Sequence, residues 1–163
     1  MPATQLIKKG TLLQEVGQCP QVAYVVHKGL LRSFFVDDGG KEHTFMFAPE
    51  GWIIADLEAS GFGNATRLAI EALEDSEEEL RPMLDQVLEG QDAESQFKLM
   101  HRRAGALQRR VLMMMSTSAL ERYEFFLETY PQLGGRISQK LIASYLGITP
   151  QALSKLRAER VGK

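Results

Sequence analysis

Cysteine is almost absent from this sequence: Cys19 is the single one in 163 residues. That excludes a disulfide framework and any site built from four thiolates, whether zinc or iron–sulfur. Long apolar runs are missing too. Short stretches such as Val111–Met115 fall far below the ~18 residues of a membrane span, so no membrane association is expected. The start, Met1-Pro2-Ala3-Thr4-Gln5, lacks the charged-then-apolar pattern of a signal peptide. His27, His43 and His101 stand apart without a His-x-His spacing, so no metal site is expected. No Ser/His/Asp or Cys/His arrangement and no phosphate-cradling glycine loop before a helix is present, which argues against an enzyme with catalytic residues. What remains is ordinary: 44% hydrophobic and 25% charged residues describe a soluble, cytoplasmic globular chain of one domain or two small ones.

The net charge of −2 conceals an asymmetry. Residues 1–100 hold 8 Lys+Arg against 17 Asp+Glu, a balance of −9, whereas residues 101–163 hold 11 against 4, a balance of +7. A basic end suits a polyanion such as nucleic acid, because Lys and Arg displace phosphate counterions. Solvated arginines on long helices would give the same count, so charge alone favours neither.

Residues 10 to about 74 read as short strands. Val22–Val26 is β-branched and aromatic and stops at His27-Lys28-Gly29; Leu30–Val36 follows, with Leu30, Phe34 and Val36 on one face and Arg32 at the rim. Asp38-Gly39-Gly40 predicts a hairpin turn. Phe45 and Phe47 alternate with Thr44 and Met46, Pro49-Glu50-Gly51 punctuates, and Trp52-Ile53-Ile54 resumes. Gly61-Phe62-Gly63-Asn64 reads as a loop before the alternating Leu68, Ile70 and Ala72. Strands broken this often predict an antiparallel roll or jelly roll within an α+β chain. A jelly-roll enzyme of the cupin type would need the missing His-x-His pair. Glu77-Glu78-Glu79 falls where a last apolar strand would be wanted, so a solvated face and an incomplete roll are expected there.

The period then changes. Phe97, Met100, Ala104, Leu107, Val111 and Met114 are spaced 3, 4, 3, 4, 3, the a/d seam of a long helix that pairs with a second copy. A single amphipathic helix packed on its own sheet would show a wider stripe. His101, Arg102, Arg103, Arg109 and Arg110 fall mostly off this seam, and Gly105 inside the helix costs ~1 kcal/mol relative to alanine. Ser118-Ala119-Leu120-Glu121 is a capping box that starts a helix from about Ala119 to Tyr130, ended by Pro131.

Residues 139–158 form a helix-turn-helix pattern. Ser138 caps the first helix, Ile142 and Leu146 face the core, and Ala143 is small where the helices cross. Gly147 supplies a left-handed turn. Ile148 fills the angle, Thr149 caps the second helix, and Pro150 takes its first position, where a missing N–H costs nothing. Leu153 and Leu156 bury its inner face, leaving Gln151, Ala152, Ser154, Lys155 and Arg157 outward. In a major groove Gln151 would pair with adenine and Lys155 would reach guanine or a phosphate. Ser138, Gln139, Lys140 and Thr149 flank the same surface, and Arg136, Lys140, Arg160 and Lys163 would meet the phosphate backbone. A generic helical hairpin would not require both caps, every core position and six basic residues against one acidic over residues 136–163.

Taken in order, a roll, a heptad helix and a helix-turn-helix resemble the Crp/Fnr family of bacterial transcription regulators, from about Lys9 to Arg160. The pieces that carry the likeness are Lys9-Gly10-Thr11-Leu12, Val26–Arg32, Ile70–Ser76 and Ile142–Thr149. The resemblance implies a cytoplasmic homodimer with three parts: an effector-binding, cyclic-nucleotide-domain-like roll (1–82), a dimerisation helix region (83–117) and a DNA-binding domain (118–163). It implies a pseudo-palindromic double-stranded DNA operator, RNA polymerase as a further partner, and a cyclic nucleotide as the effector class. The effector positions would be Gly51, Asp56, Thr66 and Arg67. Here the sequence departs from the family: Ala55-Asp56 replaces a Gly-Glu pair, and in Thr66-Arg67-Leu68 the arginine comes one position late. A one-residue shift in a strand turns a side chain to the other face, so Arg67 is expected toward solvent. No room is left for the two-stranded wing that often follows the recognition helix. Two alternatives stand beside a ligand-controlled regulator: a ligand-independent regulator, and a small-molecule module that no longer reads DNA.

Overall fold

The computed structural model describes residues 4–82, 92–116 and 118–161. The chain divides into two compact units, Met1–Glu89 and Gly90–Lys163. Parts of the expected helix region (83–91 and 117), the first three residues, Gly162 and Lys163 lie outside the described residues.

The first unit carries β1 (Thr4–Ile7), β2 (Leu12–Gln14), β3 (Val22–Lys28), β4 (Leu30–Val36), β5 (Glu42–Pro49), β6 (Ile53–Ile54), α1 (Leu57–Phe62), β7 (Ala69–Ala72) and β8 (Ser76–Pro82). They form two four-stranded antiparallel sheets of order β1-β8-β3-β6 and β2-β7-β4-β5. Tyr24, Val26, Leu31, Ala48, Ile54, Ile70 and Ala72 close the core between them. With the helices of the second unit this makes an α+β protein, as the strand and heptad patterns predict.

Four details depart from expectation. Glu77-Glu78-Glu79 is neither solvated nor a missing strand: β8 runs between β1 and β3, with Glu78 1% and Glu79 6% exposed. Backbone pairing on both sides outweighs the poor strand propensity of glutamate. Arg32 does not sit at the rim but is 4% exposed, bound through Nε to Glu71 and through Nη2 to Glu42, both at 2.6 Å. Two carboxylates on neighbouring strands make burial of that guanidinium tolerable. Gly61 and Phe62 belong to α1 rather than a loop, because Asp56 caps that helix and Gly63, at φ 68°, ends it. Finally, a bulge between Ser33 and Phe34 leaves Phe45 without a register partner, so Phe45 is exposed while Thr44 and Phe47 are buried. The simple alternation fails there, and Val36, further along, is half exposed.

The second unit contains α2 (Ala93–Ser116), α3 (Ala119–Thr129), a 3₁₀ turn (Pro131–Leu133), α4 (Gln139–Leu146) and α5 (Pro150–Val161). Its described residues include no strand. The Ser118 box is formed: the Glu121 N–H donates to Ser118 Oγ at 3.2 Å and the Ser118 N–H to Glu121 Oε2 at 2.7 Å. Tyr123, Phe126, Tyr130 and Tyr145 build its aromatic core, ring centroids of successive neighbours lying 5.5–6.4 Å apart. No helix among the described residues is long and apolar enough to cross a membrane.

Candidate nucleic-acid interface

The α4–α5 hairpin is built as its caps require. Ser138 Oγ accepts the Leu141 N–H at 3.3 Å, and Thr149 Oγ1 accepts the Ala152 N–H at 3.1 Å. Gly147 takes φ 68°, and a Cβ there would lie 3.2 Å from Met114 Cε. Leu146 and Leu153 are completely buried and Ala143 nearly so, whereas Ile142 and Leu156 are only half-buried.

On the outward side of α5, Gln151, Ser154, Lys155 and Arg157 are exposed. Ala152 is not outward but half-buried. Ser154 donates to Gln139 Oε1 at 3.0 Å, fastening α5 to the first residue of α4. Lys155 is 80% exposed and lies 3.9 Å from Glu159, a loose pairing of little worth that phosphate could displace. The side chains of Gln151 and Arg157 make no hydrogen bond or ion pair among the described residues. Lys140 and Thr149 are exposed beside them. The face therefore offers an amide, a hydroxyl and two cations on one rigid helix, the groups that read base edges and phosphates.

The seam residues lie on α2 and are open to solvent: Phe97, Met100, Leu107, Val111 and Met114 are 41–70% exposed, and Ala104 is exposed as well. Leu112 and Met115 are also exposed, so the apolar face is broader than the six positions expected. Arg110, which the sequence places only off the seam, and Arg122, which it does not single out, reach the end of α4: Arg110 Nη2 donates to the Tyr145 carbonyl at 3.3 Å and Arg122 Nη1 to the Leu146 carbonyl at 2.9 Å.

The effector positions in the first unit are arranged differently. Asp56 is 4% and Thr66 2% exposed, and each is already committed. Asp56 Oδ1 accepts the Ala59 N–H at 2.9 Å, and Asp56 Oδ2 accepts the Thr66 hydroxyl proton in a short contact. Thr66 Oγ1 in turn accepts from Gln14 Nε2 at 3.2 Å and the Leu68 N–H at 3.0 Å. Arg67 is 80% exposed and paired with Glu58 at 3.4 Å. Gly51 occupies a turn at φ 81°, its N–H on the Val26 carbonyl at 2.8 Å. His27 lies within β3, bonded to Glu79, and His43 binds Asp37; the described residues hold no cluster of three metal-ligating side chains.

No family model matches this chain, and no curated protein does. Solved structures do. The chain is similar to FixK2 from Bradyrhizobium japonicum, with a TM-score of 0.78 and 23% identity over 98% of this chain and 84% of that one. The fold is that of the Crp/Fnr regulators. A CooA variant from Carboxydothermus hydrogenoformans matches with a TM-score of 0.70 and 20% identity over 97% of this chain and 75% of its own. TTHA1359, a CRP/FNR-family transcriptional regulator from Thermus thermophilus, matches with a TM-score of 0.68 and 20% identity over 96% and 84%. In Crp/Fnr terms the first unit is the roll, and α4–α5 is the helix-turn-helix.

Proposed function

We propose that this chain is a dimeric, sequence-specific DNA-binding transcription regulator of Crp/Fnr type. The observation that carries the reading is the outward face of α5. Gln151, Lys155 and Arg157 project from a helix fixed by the Thr149 cap, the buried Leu153 and the Ser154–Gln139 bond. The neighbours named above as a transcriptional regulator and its structural relatives support it. The exposed apolar face of α2, from Phe97 to Met114, supports pairing with a second copy. A two-fold dimer of this kind presents its recognition helices about 34 Å apart, one turn of DNA, to a pseudo-palindrome. RNA polymerase would then be the downstream partner.

The roll supports a second element of the reading: the protein works without a cyclic nucleotide. Asp56 and Thr66 satisfy each other and the backbone, and Arg67 faces solvent beside Glu58. A phosphate would have to break these bonds or recruit an arginine from the wrong side. An effector of other chemistry can switch the protein only by binding one helix arrangement better than the other.

The test is selection of random duplex DNA by the purified protein, with and without cyclic nucleotides. A palindrome enriched under both conditions is expected. Enrichment only with nucleotide would overturn the ligand-independent part. No enrichment, together with a flat salt dependence of binding to any duplex, would favour a module that no longer reads DNA.

A further inference from the structure

The hairpin is held from behind by two arginines that belong to neither of its helices. Arg110, from α2, donates to the Tyr145 carbonyl and lays its guanidinium 3.7 Å over the Tyr145 ring. Arg122, from α3, donates to the Leu146 carbonyl. Both carbonyls belong to the last turn of α4, where backbone oxygens have no intrahelical partner and the helix dipole is negative. Two cations from two different helices thus converge on adjacent oxygens. A third contact joins them: Met114, the last seam residue of α2, sits where a side chain at Gly147 would begin.

These arginines are not phosphate contacts in waiting. Both are half-buried, and Arg122 Nε is sealed from solvent without a hydrogen-bond acceptor among the described residues. Tyr145, under Arg110, is 2% exposed. Any rotation of the hairpin against α2 must stretch at least one of these contacts.

We propose that Arg110 and Arg122 form a clasp that fixes the direction of the hairpin relative to α2 and thereby sets the half-site spacing the protein accepts. The spacing part rests on the dimeric DNA-binding reading above. If α2 lies along the two-fold axis, the two recognition helices are only as well separated as each hairpin is firmly joined to its own α2. Arg110 and Arg122 are positioning residues, acting through α4 without touching DNA.

Two measurements on the full chain test this. In the first, nitroxide labels are placed at Gln108→Cys and Ala158→Cys in a Cys19→Ser background, both sites being exposed on α2 and α5. The intramolecular distance distribution is then recorded without DNA. A narrow distribution is expected, broadening in Arg110→Gln and Arg122→Gln while helix content and sedimentation stay unchanged; Arg122→Lys, which can still donate to the Leu146 carbonyl, should restore most of it. An equally narrow distribution in both glutamine variants would overturn the clasp. The second measurement compares affinity for the selected palindrome with palindromes one base pair longer or shorter. The glutamine variants should lose about tenfold of the wild-type spacing preference, the size expected for a charge-assisted hydrogen bond, with non-specific affinity unchanged. Equal weakening on every duplex would instead identify phosphate contacts and overturn the proposal. If the wild type shows no palindrome preference, the regulator reading fails while the distance measurement still decides the clasp. Should one glutamine variant not fold, the other supplies the same comparison, since Arg110 and Arg122 bind different carbonyls.

Discussion

Glu78→Gln is expected to stabilise the first unit at pH 8 and to leave it unchanged near pH 4. Glu78 lies opposite Val26 in the β3–β8 pairing, on the face that Tyr24 and Val26 turn into the core. It is 1% exposed, and its Oε2 has no hydrogen-bond partner among the described residues. The charged groups near it do not relieve it: Glu79, Arg81 and His27 bind one another, and the Tyr24 hydroxyl is spent on the Leu13 carbonyl at 2.8 Å. Burial therefore pushes the Glu78 carboxyl from 4.5 up to about 7. Below about pH 4.5 it is neutral in both folded and unfolded chains and costs nothing. Between about 4.5 and 7 the unfolded chain ionises and the folded one resists, so stability falls as pH rises. Above about 7 both are ionised and the full penalty stands, about 3 kcal/mol for a displacement of this size. Glutamine keeps the shape and never ionises. Urea unfolding followed through Trp52, the single tryptophan, should show the variant's midpoint about 1–3 M higher at pH 8 and coincident with wild type near pH 4. A constant offset at both pH values would refute the reasoning.

Leu107→Glu places a charge in the α2 seam and should yield monomers; an unchanged sedimentation profile would rule out that seam as the dimer contact. Lys155→Ala should weaken binding to all duplexes and lower the salt slope by about one. Gln151→Ala should instead relax base preference at one position per half-site, worth about 1–3 kcal/mol in competition assays. Gly147→Ala forces a side chain into the left-handed region and against Met114, and should lower the stability of the second unit by about 1–2 kcal/mol in thermal unfolding.

The helix-turn-helix was legible because its signals are local. Caps at Ser138 and Thr149, the turn at Gly147 and the apolar spacing are each decided within a few residues, and they agree. The roll was legible as a class but not in its details, which are decided at a distance. β8 reads as a solvated acidic run until β1 and β3 are seen on either side of it. Arg32 reads as a rim residue because Glu42 and Glu71, which permit its burial, are ten and thirty-nine positions away. α1 is six residues long, too short to establish a period, and its second half is Ser-Gly-Phe. The bulge at Phe45 leaves no trace in composition. For the candidate site, spacing revealed the outward face of α5 but not Arg110 and Arg122, whose roles depend on which carbonyls α2 and α3 approach.

Asp56 fastens three pieces of chain at once: it caps α1, holds Thr66, and through Thr66 reaches Gln14 of β2 and the run into β7. The three links are therefore not independent. A substitution at Asp56 would uncap α1 and remove an acceptor of the buried Thr66 hydroxyl at one stroke, so a change at this single carboxylate would be felt at the helix, at β2 and at the approach to β7 together.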